Sequence, residues 1–77
     1  MSDLSLKHKV GQAIRSLRRE KGLSQEELAE LSNINRTYVG TLERGDKSPT
    51  LDVLERIAKA LDITVGEIMK RAEGLDV

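Results

Sequence analysis

The stretch from residue 25 to residue 45, QEELAELSNINRTYVGTLERG, has the pattern of two short helices separated by a tight turn. The first helix has a clear start, because Ser24 and Glu27 form an S-x-x-E capping box. In such a box the side chain of each residue accepts a hydrogen bond from the backbone N–H of the other. The turn is predicted at Asn33, since asparagine tolerates the left-handed backbone conformation better than most residues other than glycine. The first helix should therefore end just before Asn33.

The second helix is predicted over about residues 36–44. Asn35 can cap its first turn and Gly45 can end it, because asparagine is a good N-cap and glycine readily takes the left-handed conformation after a helix. Val39 and Leu42 lie on one side of this helix and are expected to face inward. The other side should then point outward, and it consists of Arg36, Thr37, Gly40, Thr41 and Arg44.

Three more helices are predicted around this pair, and no strands. Apolar residues at helical spacing indicate a first helix over about residues 7–21. Thr50 is a suitable N-cap for a fourth helix over about residues 51–61, and a second capping box that begins at Thr64 opens a fifth over about residues 65–73. The expected fold class is an all-α, compact five-helix bundle.

Length and composition limit the possible functions. The chain has 77 residues, which is enough for one domain, residues 1–77. It has no cysteine and one histidine, His8, so neither a metal site nor a cofactor is expected. No catalytic Ser–His–Asp set or phosphate-binding glycine-rich loop is legible, which argues against an enzyme. No apolar run approaches the roughly 18 residues of a membrane span, and no secretory signal is legible, so a cytoplasmic protein is expected.

The net charge is zero, but the charge is unevenly distributed. The chain carries 13 basic and 13 acidic residues. Residues 1–23 contain six basic residues against two acidic ones, whereas residues 51–77 contain four against six. Residues 24–34 contain three glutamates and no basic residue. The net charge of zero is therefore the sum of a basic side and an acidic side. Such an uneven distribution is evidence about the partners that a protein binds.

The outward face of the second helix suits the major groove of double-stranded DNA. Arg36 could donate two hydrogen bonds to a guanine, and Thr37 and Thr41 offer hydroxyl and methyl groups to base edges. Gly40 removes a side chain where the bases could approach closely. Each residue also has a simpler interpretation, because an exposed arginine can be a solvated charge and a threonine can contact only phosphate or water.

At these residues the chain resembles the Cro/repressor-type helix-turn-helix family, also called xenobiotic-response-element-like. The resemblance extends over about residues 10–72, and it rests on IRSLR at 14–18, GLSQEELA at 22–29, YV…LERG at 38–45 and SPTL…L…IA…L at 48–61. It implies a lambda-repressor-like DNA-binding domain whose helix-turn-helix spans about residues 25–44. Members of this family are usually dimers that bind roughly palindromic operators.

The resemblance implies a role for each matching residue. Bases would be read by Arg36, Thr37 and Thr41, with Gly40 beside them. The DNA backbone would be contacted by Gln25, Tyr38, Arg44, Lys47 and Ser48. Tyr38 could also pack against a neighbouring helix. Arg18 and Glu43 match a pair that forms a partly buried salt bridge, so Arg18 is expected to be structural.

The predicted function is a sequence-specific transcriptional regulator that acts as a homodimer on double-stranded DNA. Neither a small-molecule effector nor binding to a membrane is expected. The short chain and the sequence NRTY at 35–38 look most like controller proteins of restriction–modification systems. A small phage-type repressor and an antitoxin-like interaction module on the same scaffold are the alternatives. The dimer surface is expected on the last helix and its flanks, at Ile63, Val65, Met69 and Leu75, some of which must belong to the core.

Overall fold

A computed structural model describes residues 5–74, which form five α-helices connected by short loops. No strand occurs in this part of the chain, and the predicted all-α five-helix bundle is confirmed. The helix bounds agree with the predicted ones to within one residue. The helices are α1 (Leu6–Glu20), α2 (Gln25–Ser32), α3 (Arg36–Arg44), α4 (Leu51–Ala60) and α5 (Val65–Gly74).

The starts of α2, α4 and α5 agree with the sequence because their capping residues make the expected hydrogen bonds. The N–H of Glu27 donates to Ser24 Oγ at 3.0 Å, and the N–H of Ser24 donates to Glu27 Oε1 at 2.8 Å. The same reciprocal pair links Thr64 and Glu67 at the start of α5, at 3.0 and 3.1 Å. Thr50 caps α4 by accepting the N–H of the residue three positions later at 3.1 Å. Each cap satisfies backbone donors that have no partner within the helix.

The turn between α2 and α3 has the left-handed geometry predicted for it. Asn33 has φ 57° and ψ 46°, and the chain passes from one helix to the next through residues 33–35 alone. Asn35 then caps α3 by accepting the N–H of Thr37 at 2.7 Å. Gly45, at φ 77°, ends α3. The two helices are therefore joined by a short turn of defined geometry.

The core is formed by one side of every helix. Each helix packs against two others: α1 against α3 and α5, α2 against α3 and α4, and α4 against α2 and α5. Within residues 5–74, no helix is long and apolar enough to cross a membrane. The largest fully buried side chains are Ile14, Leu28, Val39, Leu42, Ile57, Leu61 and Ile68. Since Val39 and Leu42 point into this core, α3 is fixed in rotation and its opposite side remains at the surface.

Gly11 sets the distance between α1 and α3. A Cβ atom at this position would overlap the carbonyl oxygen of Leu42 and would lie 2.8 Å from that of Glu43. These are backbone atoms of a packed helix, so they cannot move aside as the tip of a flexible side chain can. The close approach therefore requires a glycine, and nothing in the local sequence pattern reveals this requirement.

α5 is fastened to α1 by apolar and polar contacts. Ile68 and Ala72 are fully buried. Arg71 donates from Nη1 to Ser16 Oγ at 2.9 Å and to Glu20 Oε2 at 2.6 Å. The hydrogen bond from Arg71 lowers the pKa of Glu20 below its ordinary value, and the same bond raises the pKa of Arg71. α5 is thus an integral part of the bundle.

The residues expected at a dimer surface are only partly accessible. Ile63, Val65 and Met69 are half-buried and pack against the core, and Leu75 lies outside the described residues. The most exposed large apolar side chain between residues 5 and 74 is Leu51, at 80% exposure in the first turn of α4.

Replacing Gly11 by alanine is expected to lower the free energy of unfolding by about 1–3 kcal/mol, the usual effect of forcing an extra methyl group into packed structure. The loss should occur although alanine is the better helix former. Denaturant unfolding measures it, with Gly74→Ala as the control, because a Cβ at Gly74 meets nothing within 4 Å. Equal stability of the two variants would contradict the assigned role of Gly11.

Candidate DNA interface

On the outward side of α3, the side chains of the first turn are the more exposed ones. Arg36 and Thr37 are exposed, and Thr41, one turn further on, is half-buried. The hydroxyl of Thr41 donates to the carbonyl oxygen of Thr37 at 3.0 Å. Because this bond uses the only hydroxyl proton of Thr41, that side chain can offer a ligand an acceptor or a methyl group, but not a donor.

Gly40 differs from its predicted position, because it is buried and not part of the exposed face. A Cβ at Gly40 would lie 3.2 Å from Nη1 of Arg44 and 3.9 Å from the amide atoms of Gln25. The expectation that Gly40 is exposed on this face is therefore wrong. Helical spacing located its side of α3 correctly, but it could not show that side chains from the start of α2 and the end of α3 extend over the glycine.

A buried ion pair lies directly below this face. Arg18 donates from Nε to Glu43 Oε2 at 2.7 Å and from Nη2 to Glu43 Oε1 at 3.0 Å. The two side chains are only 9% and 2% exposed. Arg18 also donates from Nη1 to the carbonyl oxygen of Leu23 at 2.8 Å. The hydrogen bonds with Glu43 raise the pKa of Arg18, against the opposing effect of burial.

Gln25 joins this ion pair to the surface. Its Nε2 donates to Glu43 Oε1 at 3.0 Å, so the carboxylate accepts from one arginine and one amide at the same time. Gln25 is half-buried at the first position of α2. The Arg18–Glu43 pair was expected from the resemblance, whereas the bond from Gln25 was not. The sequence carries no signal for that bond, which depends on how α2 crosses α3.

The residues expected to contact the DNA backbone surround the exposed turn of α3. Arg44, Lys47 and Ser48 are exposed at the end of α3 and in the loop after it. Arg44 donates from Nε to Asp46 Oδ2 at 3.0 Å, a surface pair that water and salt weaken. Tyr38 is half-buried and packs against the core, which agrees with the packing role considered for it.

The charges of this surface favour an anion. Glu43 is the only carboxylate within α3, and it is buried and paired with Arg18, so it is withheld from any molecule that binds α3. Within residues 36–48, the exposed charges are those of Arg36, Arg44 and Lys47, against Asp46. An exposed helix of this kind, preceded by a second short helix and a tight turn, defines a helix-turn-helix DNA-binding protein.

The sequence profile of the helix-turn-helix family matches residues 14–68, and the chain belongs to this family. It is 40% identical over 68 residues to control protein C.SmaI from Serratia marcescens, a match that covers 88% of this chain and 81% of that protein. It is 43% identical over 60 residues to the immunity repressor protein of Bacillus phage phi105. This match covers 78% of this chain and 42% of that repressor.

Among solved structures, the chain is similar to the restriction-modification controller protein C.AhdI from Aeromonas hydrophila. The TM-score is 0.79 at 48% sequence identity, over 80% of this chain and 94% of that one. The protein is therefore a helix-turn-helix transcriptional regulator that binds DNA, and it is not an enzyme.

Replacing Glu43 by alanine is expected to reduce the free energy of unfolding by about 3–5 kcal/mol, because it leaves the buried Arg18 charge without a partner. Asp46→Ala is the control, since it removes the carboxylate of an exposed pair, which contributes little. Thermal and denaturant unfolding of both variants give the comparison. If Glu43→Ala lowered the free energy of unfolding as little as Asp46→Ala does, the buried pair would not be important for stability.

Proposed function

We propose that the protein is a homodimeric regulator that reads a palindromic operator with the first turn of α3. The observation that carries this proposal is the exposure of Arg36 and Thr37 on a helix whose one carboxylate, Glu43, is buried. An arginine at this position can donate to O6 and N7 of a guanine, and a threonine can contact a base edge or the methyl group of thymine. Thr41, whose hydroxyl proton is used within the helix, would contribute its methyl group or accept a hydrogen bond.

The backbone contacts would come from the residues around this turn. Gln25 would donate to a phosphate from the start of α2, and Arg44, Lys47 and Ser48 would hold the backbone beyond the end of α3. Tyr38 would combine packing with a hydroxyl directed to a phosphate. Such contacts fix the register of the protein on the duplex and carry little sequence information themselves.

The likeness to C.SmaI and C.AhdI supports a controller protein of a restriction–modification operon, because it extends over most of both proteins. The likeness to an immunity repressor supports a phage-type repressor as the second candidate, although the chain spans less than half of that protein. In either role the protein would act in the cytoplasm on its operator, and its own concentration, not a small-molecule effector, would set the occupancy of the operator.

A dimer would double the length of DNA that is read. One recognition helix contacts only a few base pairs, so two-fold symmetry requires half-sites centred about one DNA turn, ~34 Å, apart. The proposed surface comprises the accessible parts of Ile63, Val65 and Met69, with Leu75. Because Ile63, Val65 and Met69 also pack on the core, dimerisation would use the outer side of the same apolar layer that holds α5.

Selection of bound duplexes from a random pool tests base reading. The wild type is expected to yield a palindromic motif, and Arg36→Ala should lose the preference at one position of each half-site and bind about tenfold more weakly per half-site. Lys59→Ala, on the exposed side of α4, removes the same charge and should leave the motif intact. An unchanged motif for Arg36→Ala would contradict base reading by Arg36, and an absence of DNA selection would favour the antitoxin-like alternative.

Sedimentation velocity tests the dimer. The wild type is expected to sediment as a dimer at micromolar concentration, and Val65→Glu should sediment as a monomer. A glutamate at the first position of α5 suits the N-terminus of a helix. Because Val65 also packs against the core, a thermal melt must show that the variant is folded. Lys59→Ala on α4 is the control, because it makes the net charge more negative by the same amount at an exposed position. A wild-type monomer at high micromolar concentration would refute the dimer.

A further inference from the structure

On the basis of the backbone contacts proposed for Gln25 and Arg44, we propose that Gly40 is a positioning residue whose missing side chain lets these two residues bind one phosphate group together. Gly40 would then act on the DNA backbone through its neighbours. The alternative role, close approach of a base to the helix, requires an exposed glycine, and Gly40 is buried.

The space over Gly40 is shared by side chains from two helices. An ideal Cβ there would be 3.2 Å from Nη1 of Arg44 and 3.9 Å from both Nε2 and Oε1 of Gln25. Gln25 is the first residue of α2, and Arg44 is the last residue of α3. Charge-assisted N–H···O⁻ bonds are about 2.7–2.9 Å long, so one phosphate group over Gly40 is within reach of both nitrogens.

The amide of Gln25 is oriented by the buried ion pair. Its Nε2 donates to Glu43 Oε1 at 3.0 Å, and a carboxylate can only accept, so the NH₂ group must point towards Glu43. Glu43 is itself fixed by two hydrogen bonds from Arg18. The second N–H of the amide is then available to a ligand, and its position is set by groups that are held within the core.

The guanidinium of Arg44 is oriented from the opposite side. Its Nε donates to Asp46 Oδ2 at 3.0 Å, and its Nη2 lies 3.4 Å from Thr41 Oγ1. These two contacts place Nη1 as the nitrogen that faces Gly40. A phosphate here would meet one charged donor and one neutral donor, and the amide of Gln25 is held in place before binding, which lowers the cost of ordering it.

A methyl group at Gly40 should separate stability from DNA binding. The Cβ would displace Arg44 Nη1, which is the tip of a flexible exposed side chain, so the fold can accommodate it. Alanine is also the better helix former. Gly40→Ala should therefore melt at or above the wild-type temperature, while the two donors can no longer meet at one phosphate.

The experiment measures binding to the duplex that the wild-type protein selects, at several salt concentrations. Gly40→Ala should bind about tenfold more weakly for each subunit that loses one charge-assisted hydrogen bond. The slope of log K against log salt should fall by about 0.9 for each subunit that loses its phosphate contact. The bases selected from a random pool should stay the same. Gly66→Ala is the matched control, because a Cβ there meets only Thr64 Oγ1 at 3.6 Å.

A double-mutant cycle tests the shared phosphate with Gly40 left in place. If Gln25 and Arg44 bind one phosphate, the loss for Gln25→Ala with Arg44→Ala should differ clearly from the product of the two single losses. Three results would each contradict binding of one phosphate by both residues. They are losses of affinity that multiply in the double mutant, wild-type affinity of Gly40→Ala, and an altered base motif for Gly40→Ala. A wild-type protein that selects no duplex would instead refute the proposed operator binding itself.

Discussion

The ion pair between Arg18 and Glu43 is the constraint on which the rest of the DNA-facing surface depends. It joins α1 to α3, removes the one carboxylate of α3 from the surface, and fixes the amide of Gln25. Burying two charges is costly unless their hydrogen bonds are satisfied. Here Glu43 accepts three hydrogen bonds and Arg18 donates a further one to a backbone carbonyl, so the pair is well satisfied.

The local features of the fold could be predicted from the sequence, because they depend on residues close together in the chain. The two capping boxes, the left-handed Asn33 and the final Gly45 all act within four residues of the helix ends that they define. Asp62 is an exception, since it also has positive φ, at 59°, without a signal that distinguishes it from other aspartates.

Features that depend on distant residues could not be predicted in the same way. Gly11 is required by carbonyl groups of α3, and Gly40 is covered partly by Gln25, from another helix. In α5, helical spacing placed the apolar residues on one side, but it could not separate the fully buried Ile68 from the half-buried Met69. In each case the decisive partner is set by how the helices cross.

The exposed first turn of α3 is structurally independent of the residues that hold the helix in place. Asn35 and Gly45 define the ends of α3, and Val39 and Leu42 anchor the helix in the core. The exposed side chains of Arg36 and Thr37 are not part of that core. New side chains at these two positions would alter the chemistry of the surface at little cost to folding. Related proteins could therefore diverge in the sites they recognise through few substitutions, without a compensating change elsewhere in the bundle.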